Sequence, residues 1–166
     1  QVVYDGYAGA QENLHRSQGR EPLIGLQNEG DIALIFLEVS VADVEPSRIL
    51  PPEFSDYLTE GRDVLIAGYG QQRRAHDAES PAVKNHGPSY IHEVGRYEFQ
   101  VGDRSGRDED APKSGLATKC YGDSGGPTYL DIEGRLYVAG VTSRGFDDEP
   151  DCDIAGIDTR VDAFAD

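Results

Sequence analysis

An all-β fold is predicted for this chain on three observations. The apolar residues fall in short runs rich in Val, Ile, Leu and aromatic side chains, and no stretch carries a sustained helical period. Gly and Pro, 20 and 9 of them in 166 residues, bound those runs and mark turns between strands. Two runs near the C-terminus flank a tight polar turn, the pattern of a hairpin. The length is enough to bury a core, and one domain is the prior expectation.

Taken in order, Gln1-Val2-Val3-Tyr4 reads as a short strand, and residues 6–19 read as a polar, Gly-containing loop that holds His15. Pro22-Leu23-Ile24-Gly25-Leu26 is a second short apolar run, followed by the turn-like Asn28-Glu29-Gly30. Asp31-Ile32-Ala33-Leu34-Ile35-Phe36-Leu37-Glu38 reads as a buried strand from its continuous apolar content, and on local grounds the Asp that opens it suits a turn as well as a site. Pro46, Pro51 and Pro52 break residues 41–57 into a connector. Asp63-Val64-Leu65-Ile66-Ala67-Gly68-Tyr69-Gly70 is the next strand. Residues 71–89 are polar, with Pro81, Pro88, His76 and His86, and read as a loop. Exposed histidines are expected there rather than a metal site, because the spacing is scattered and no cysteine accompanies them. Residues 90–101 alternate as a strand pair, with His92 structural or facing solvent. The charged stretch 102–115 reads as a solvated loop; a calcium loop is the disfavoured alternative, since the carboxylates lack the alternation of an EF-hand. Residues 128–130 and 135–141 flank the turn Asp131-Ile132-Glu133-Gly134 as a hairpin.

The charge balance, 31 Asp+Glu against 15 Lys+Arg for a formal −16, argues against nucleic acid or an anionic membrane as a partner. Only Lys84, Lys113 and Lys119 are lysines. No apolar run reaches the roughly 18 residues of a membrane span, and no leader pattern opens the chain. With no Met in the sequence, Gln1 is expected to mark a processing site, an engineered start or the edge of the ordered chain. Cys120 and Cys152 are either two thiols in a reducing compartment or one disulfide in an oxidising one.

One stretch carries chemistry: Cys120-Tyr121-Gly122-Asp123-Ser124-Gly125-Gly126-Pro127. A serine hydroxyl needs a base beside it and donors for the charge that develops on the carbonyl it attacks. Without a side chain at Gly122, its N–H and that of Ser124 can point into one small space, a candidate oxyanion hole. Gly125 and Gly126 permit close approach by another backbone. Asp123 places a carboxylate inside this tight loop, where it calls for a cation. A Gly-rich turn with Asp and Ser as ordinary turn formers is the bland alternative. The motif Gly122-Asp123-Ser124-Gly125-Gly126-Pro127 resembles the nucleophile loop of the chymotrypsin/trypsin-like serine proteases, and Asp31-Ile32-Ala33-Leu34 resembles the strand that carries their triad aspartate.

The resemblance spans Asp31 to about Val161 and implies a fold of two six-stranded antiparallel barrels, the first incomplete in this chain. Residues 1–45 would be the remainder of the N-terminal barrel, 46–60 the connector between barrels, and 61–166 the C-terminal barrel. Gly68-Tyr69-Gly70 resembles the end of that barrel's first strand. The chain stops at Asp166 where relatives continue into a helix, so that helix is expected to be short or absent. The resemblance also implies the roles: Ser124 as nucleophile, Asp31 orienting an imidazole, Gly122 and Ser124 supplying the oxyanion donors, Asp123 as the carboxylate that pairs with an activating ammonium, and a Cys120–Cys152 disulfide. The specificity pocket would have Thr118 at its floor, Lys119 beside it, and Ser143, Gly145 and Gly156 as walls. Arg144 stands where relatives carry Trp. Lys119 could draw an acidic side chain, or Asp158 on the facing strand could neutralise it or itself meet a basic group. The glycines leave the entrance open to large side chains.

His15 has the chain order of the family's histidine but lies too close to Asp31 and in a loop, so that histidine is expected from a segment that is not in this sequence. The implied enzyme is therefore a trypsin-like serine endopeptidase, secreted or periplasmic, whose histidine arrives on an N-terminal fragment of the same protease. Its other partners would be a peptide or protein substrate and a protein inhibitor or propeptide. No metal or organic cofactor is required. The alternatives are a catalytically inactive homologue that binds proteins through the same cleft, and an unrelated acidic β-domain with a coincidental serine loop.

Overall fold

The computed structural model describes residues 3–6, 26, 30–71, 83–102, 116–145 and 155–165. Nine strands carry the fold: β1 (Val3–Gly6), β2 (Ala33–Phe36), β3 (Arg48–Ile49), β4 (Asp63–Gly68), β5 (Asn85–Val94), β6 (Glu98–Val101), β7 (Pro127–Ile132), β8 (Arg135–Arg144) and β9 (Gly156–Arg160). The expected all-β class is the one observed. β4 to β9 form a closed antiparallel barrel, running β8-β7-β4-β5-β6-β9 and returning from β9 to β8, with β3 added in parallel to β8.

Period-2 alternation builds the barrel core. Val64 and Ile66 of β4 and Leu130 and Ile132 of β7 point inward, with the residues between them more exposed. They meet Ile91, Phe99, Val101, Tyr137 and Ala139, and Leu50 and Leu58 close one end. Each Val, Leu, Ile or Phe side chain among them contributes about 1.5–3 kcal/mol on burial. Gly140 is required by the close approach of Phe99, whose ring would lie 2.5 Å from a Cβ at that position. All four residues of β6 are buried, because its second face is covered as well.

The hairpin forms around the two-residue turn Glu133-Gly134, both at positive φ (55° and 77°), the geometry whose twist matches that of its strands. Gly134 N donates to Asp131 Oδ1 at 2.8 Å and holds the turn. A 3₁₀ segment, Pro52–Tyr57, lies within the connector, and β3 ties that connector to β8.

Two expectations change. Residues 85–89, read as loop, belong to β5, and Pro88 sits opposite Leu65. β6 pairs with β5 only from Ile91 onward, so proline's missing N–H removes no ladder bond, and the Pro88 carbonyl accepts from Ala117 N at 2.8 Å. The strand after Asp31 is shorter than read and is not buried: Leu34, Ile35 and Phe36 are 67%, 58% and 61% exposed. Its ladder partner among the described residues is β1, and no described element covers its apolar face. The run 22–26 lies outside the described residues except for Leu26, which packs on Ala155 and Ile157. Of the loop read at 6–19, Gly6 ends β1, while residues 7–19 with His15, His76 and the charged stretch from 103 to 115 also lie outside them. Among the described residues no helix is long and apolar enough to cross a membrane.

Candidate active site

The nucleophile loop leads into β7 and is hydrogen-bonded to the residues just beyond the glycine end of β4. Asp123 folds back under it, with Oδ1 accepting from Gly70 N at 2.8 Å and Oδ2 from Cys120 N at 2.9 Å. Glycine is obligatory at 68 and 70, since a Cβ at either position would overlap that carboxylate. Gly122 adopts φ +93°, a left-handed conformation that only glycine takes without strain. The Asp123 N–H is engaged by Cys120 O at 3.0 Å and the Gly126 N–H by Asp123 O at 2.8 Å. The N–H groups of Gly122 and Ser124, on either side of that engaged N–H, make no hydrogen bond with the described residues. Ser124 itself is exposed. The loop therefore presents an exposed hydroxyl beside two backbone donors that no described residue engages.

β8 brings this loop and Asp31 together. Thr142 holds the loop: its carbonyl accepts from Gly125 N at 2.9 Å, its N–H donates to Gly126 O at 2.9 Å, and its hydroxyl donates to the same carbonyl at 3.0 Å. The next residue holds the aspartate, as Ser143 Oγ donates to Asp31 Oδ2 at 2.8 Å. Thr142 pairs with Asp158 and Arg144 with Ile157, so Ser143 is the extra residue of a β-bulge. A bulge re-aims a side chain, and here it turns the Ser143 hydroxyl onto Asp31. A second anchor, from Thr159 Oγ1 to Asp31 O at 3.0 Å, fixes the backbone. Sequence reasoning placed Ser143 in a pocket wall and missed this bond, which depends on strand pairing.

Beside the loop, Lys119 and Asp158 form an ion pair at 2.8 Å, their side chains 4% and 0% exposed. Lys119 Nζ also donates to Thr142 Oγ1 at 2.5 Å, and Thr128 Oγ1 donates to Asp158 Oδ2 at 2.5 Å. Of the readings open in the sequence, this geometry is the internal ion pair. Thr118 is half-buried, Gly145 exposed and Gly156 buried against the stem of Lys119. Arg144 turns onto Glu98, with contacts of 2.6 and 3.1 Å to its two carboxylate oxygens, the bidentate geometry that guanidinium and carboxylate favour. Neither partner of this second pair was foreseen, although Arg144 in an apolar strand demands a buried acid.

His86 and His92 are exposed on β5. There is no free cysteine among the described residues, and Cys152 lies outside them. Among the described residues no group of three metal-ligating side chains occurs. An aspartate and the loop of an exposed serine, tied to consecutive residues of one strand beside two N–H groups that no described residue engages, suit acyl transfer. A family model described as Trypsin matches residues 4–166, and the chain accordingly belongs to the trypsin family of serine proteases.

Proposed function

We propose that this chain supplies the nucleophile, the orienting aspartate and the oxyanion donors of a serine endopeptidase. The observation that carries the reading is the pair of neighbours Thr142 and Ser143, one tied to the serine loop and the other to Asp31. In the proposed reaction, Ser124 Oγ attacks the scissile carbonyl carbon and its proton passes to an imidazole oriented by Asp31. The N–H groups of Gly122 and Ser124 hold the oxyanion. The C–N bond then breaks as the imidazolium protonates the leaving amine. Water, deprotonated by the same imidazole, then attacks the acyl carbon, and the bond to Ser124 Oγ breaks as the imidazolium returns the proton to that oxygen.

The imidazole is proposed to arrive on an N-terminal segment of the same protease, which also covers the exposed strand β2 and completes the first barrel over residues 1–45. The Cys120–Cys152 disulfide and a secreted or periplasmic location belong to the same proposal, as does a protein inhibitor or propeptide over the cleft. Asp123 would receive the activating ammonium on the side not occupied by Gly70 and Cys120.

A fluorophosphonate probe tests the catalytic reading. Labelling at Ser124 that disappears in Ser124→Ala is expected; a folded protein left unlabelled would instead be an inactive homologue that binds through this cleft. Mass spectrometry under denaturing conditions tests the segment. A longer chain, or a second fragment with a histidine, is expected, and a lone 18.1 kDa polypeptide in labelled material would overturn it.

A further inference from the structure

Beside the nucleophile loop, a lysine ties residues 118–120 to β8 and β9. The stem of Lys119 passes Gly156 so closely that a Cβ there would stand 3.0, 3.2 and 3.4 Å from its Cβ, Cγ and Cδ. It ends on Asp158 of β9 and Thr142 of β8. Thr142 is also the residue that holds Gly125 and Gly126. The ion pair therefore lies one side chain away from the serine loop, among the residues that the family resemblance assigns to the specificity pocket.

We infer that Lys119, locked across the cleft by Asp158 and Thr142, is the specificity-determining residue of this site and selects a short, uncharged side chain before the scissile bond. This rests on the endopeptidase reading. Two physical reasons support it. A long side chain would have to displace the lysine stem and separate a dry ion pair, which leaves each charge buried without its partner. A charged side chain would bring a second ion beside a pair that already sums to zero, with Asp158 facing an acid and Lys119 facing a base. Asp158 Oδ1, buried and without a hydrogen-bond partner among the described residues, adds a repulsive element against acids. The open entrance that the glycines suggest thus leads to a shallow floor.

The test uses the full protein together with any chain that copurifies with it. N-acetyl tripeptides with a free carboxylate, identical except for a terminal Ala, Arg, Glu or Phe, are titrated by calorimetry, which requires no turnover. The Ala peptide is expected to bind at least about tenfold more tightly than the other three. A second protein, Lys119→Ser with Asp158→Asn, removes both charges and the stem, and the preference should move toward Phe by about tenfold or more. Equal or tighter binding of the Arg, Glu or Phe peptide by the unaltered protein overturns the inference, whether or not the double variant folds. An unchanged order in a folded double variant overturns it too. Fluorophosphonate labelling separates the two levels: a labelled Ser124 with the wrong peptide order rejects only the pocket inference, whereas the expected order with Ser124 unlabelled upholds the pocket and rejects catalysis.

Discussion

Asp123 is the residue on which the shape of the serine loop depends. Its two oxygens accept from Gly70 N and Cys120 N, and hydrogen bonds to an ionised acceptor are the stronger kind. Asp123→Ala leaves both N–H groups without that acceptor, so stability should fall by about 1–3 kcal/mol in urea denaturation. The Gly122 and Ser124 donors would lose their common aim, and labelling of Ser124 by fluorophosphonate should slow by about a hundredfold or more. Unchanged labelling would mean that the loop holds its shape without the carboxylate. Glu133 gives a prediction of opposite sign. It occupies a left-handed position, φ 55°, in a turn that favours Asn-Gly. Glu133→Asn should raise stability by about 0.5–1 kcal/mol, read as a shift in the urea midpoint. At this scale the sequence was most legible. The conformations of Gly122 and Gly134 are local, and glycine has local reasons to be there. The Ser143–Asp31 bond was hidden because it joins residues distant in sequence through a bulge that only strand pairing creates.

At the scale of elements, β8 organises the molecule. One end pairs with β7 through the hairpin, the other holds the serine loop and Asp31, and its last residue enters the buried pair with Glu98 of β6. Glu98 is 0% exposed and its partner 17%, so the pair knits β8 to a strand two places away across β9. Removing the acid alone strands a guanidinium against the barrel wall. Glu98→Ala should therefore cost about 3–5 kcal/mol, whereas Glu98→Leu combined with Arg144→Met should recover most of that loss. Equal destabilisation by the single and double variants, measured in urea, would contradict the pairing. Strand identities here were readable from short apolar runs bounded by turn residues, as in Val64-Leu65-Ile66. The extent of β5 was not. Pro88 is a loop residue by every local rule, and it enters a strand because β6 begins pairing three residues later, which no local rule contains.

For the whole molecule, the contrast between the two sheets decides what the chain needs. The barrel of β4 to β9 closes on itself and leaves no edge, while β1 and β2 form a two-stranded sheet. Two strands alone are marginal in water. The stretch they lead into exposes Val39 at 80% and Val44 at 67%, in line with Leu34 and Phe36. Large apolar side chains exposed in succession along one stretch are the raw material of an interaction site. Asp31 lies at the junction, fastened to the closed barrel through Ser143 and Thr159 while the strand it opens faces outward. A segment that covers β2 would thus be brought next to the carboxylate that an imidazole has to meet. Leu34→Lys with Phe36→Lys should then release that segment, or leave β1 and β2 unfolded, while the closed barrel persists. Light scattering should report the lost association, and labelling of Ser124 should fall at least about a hundredfold, since the base is displaced even though Ser124 and Asp31 are untouched. If instead the double variant keeps full labelling and the same mass in solution, the apolar face has no covering partner, and the histidine must reach Ser124 by another route.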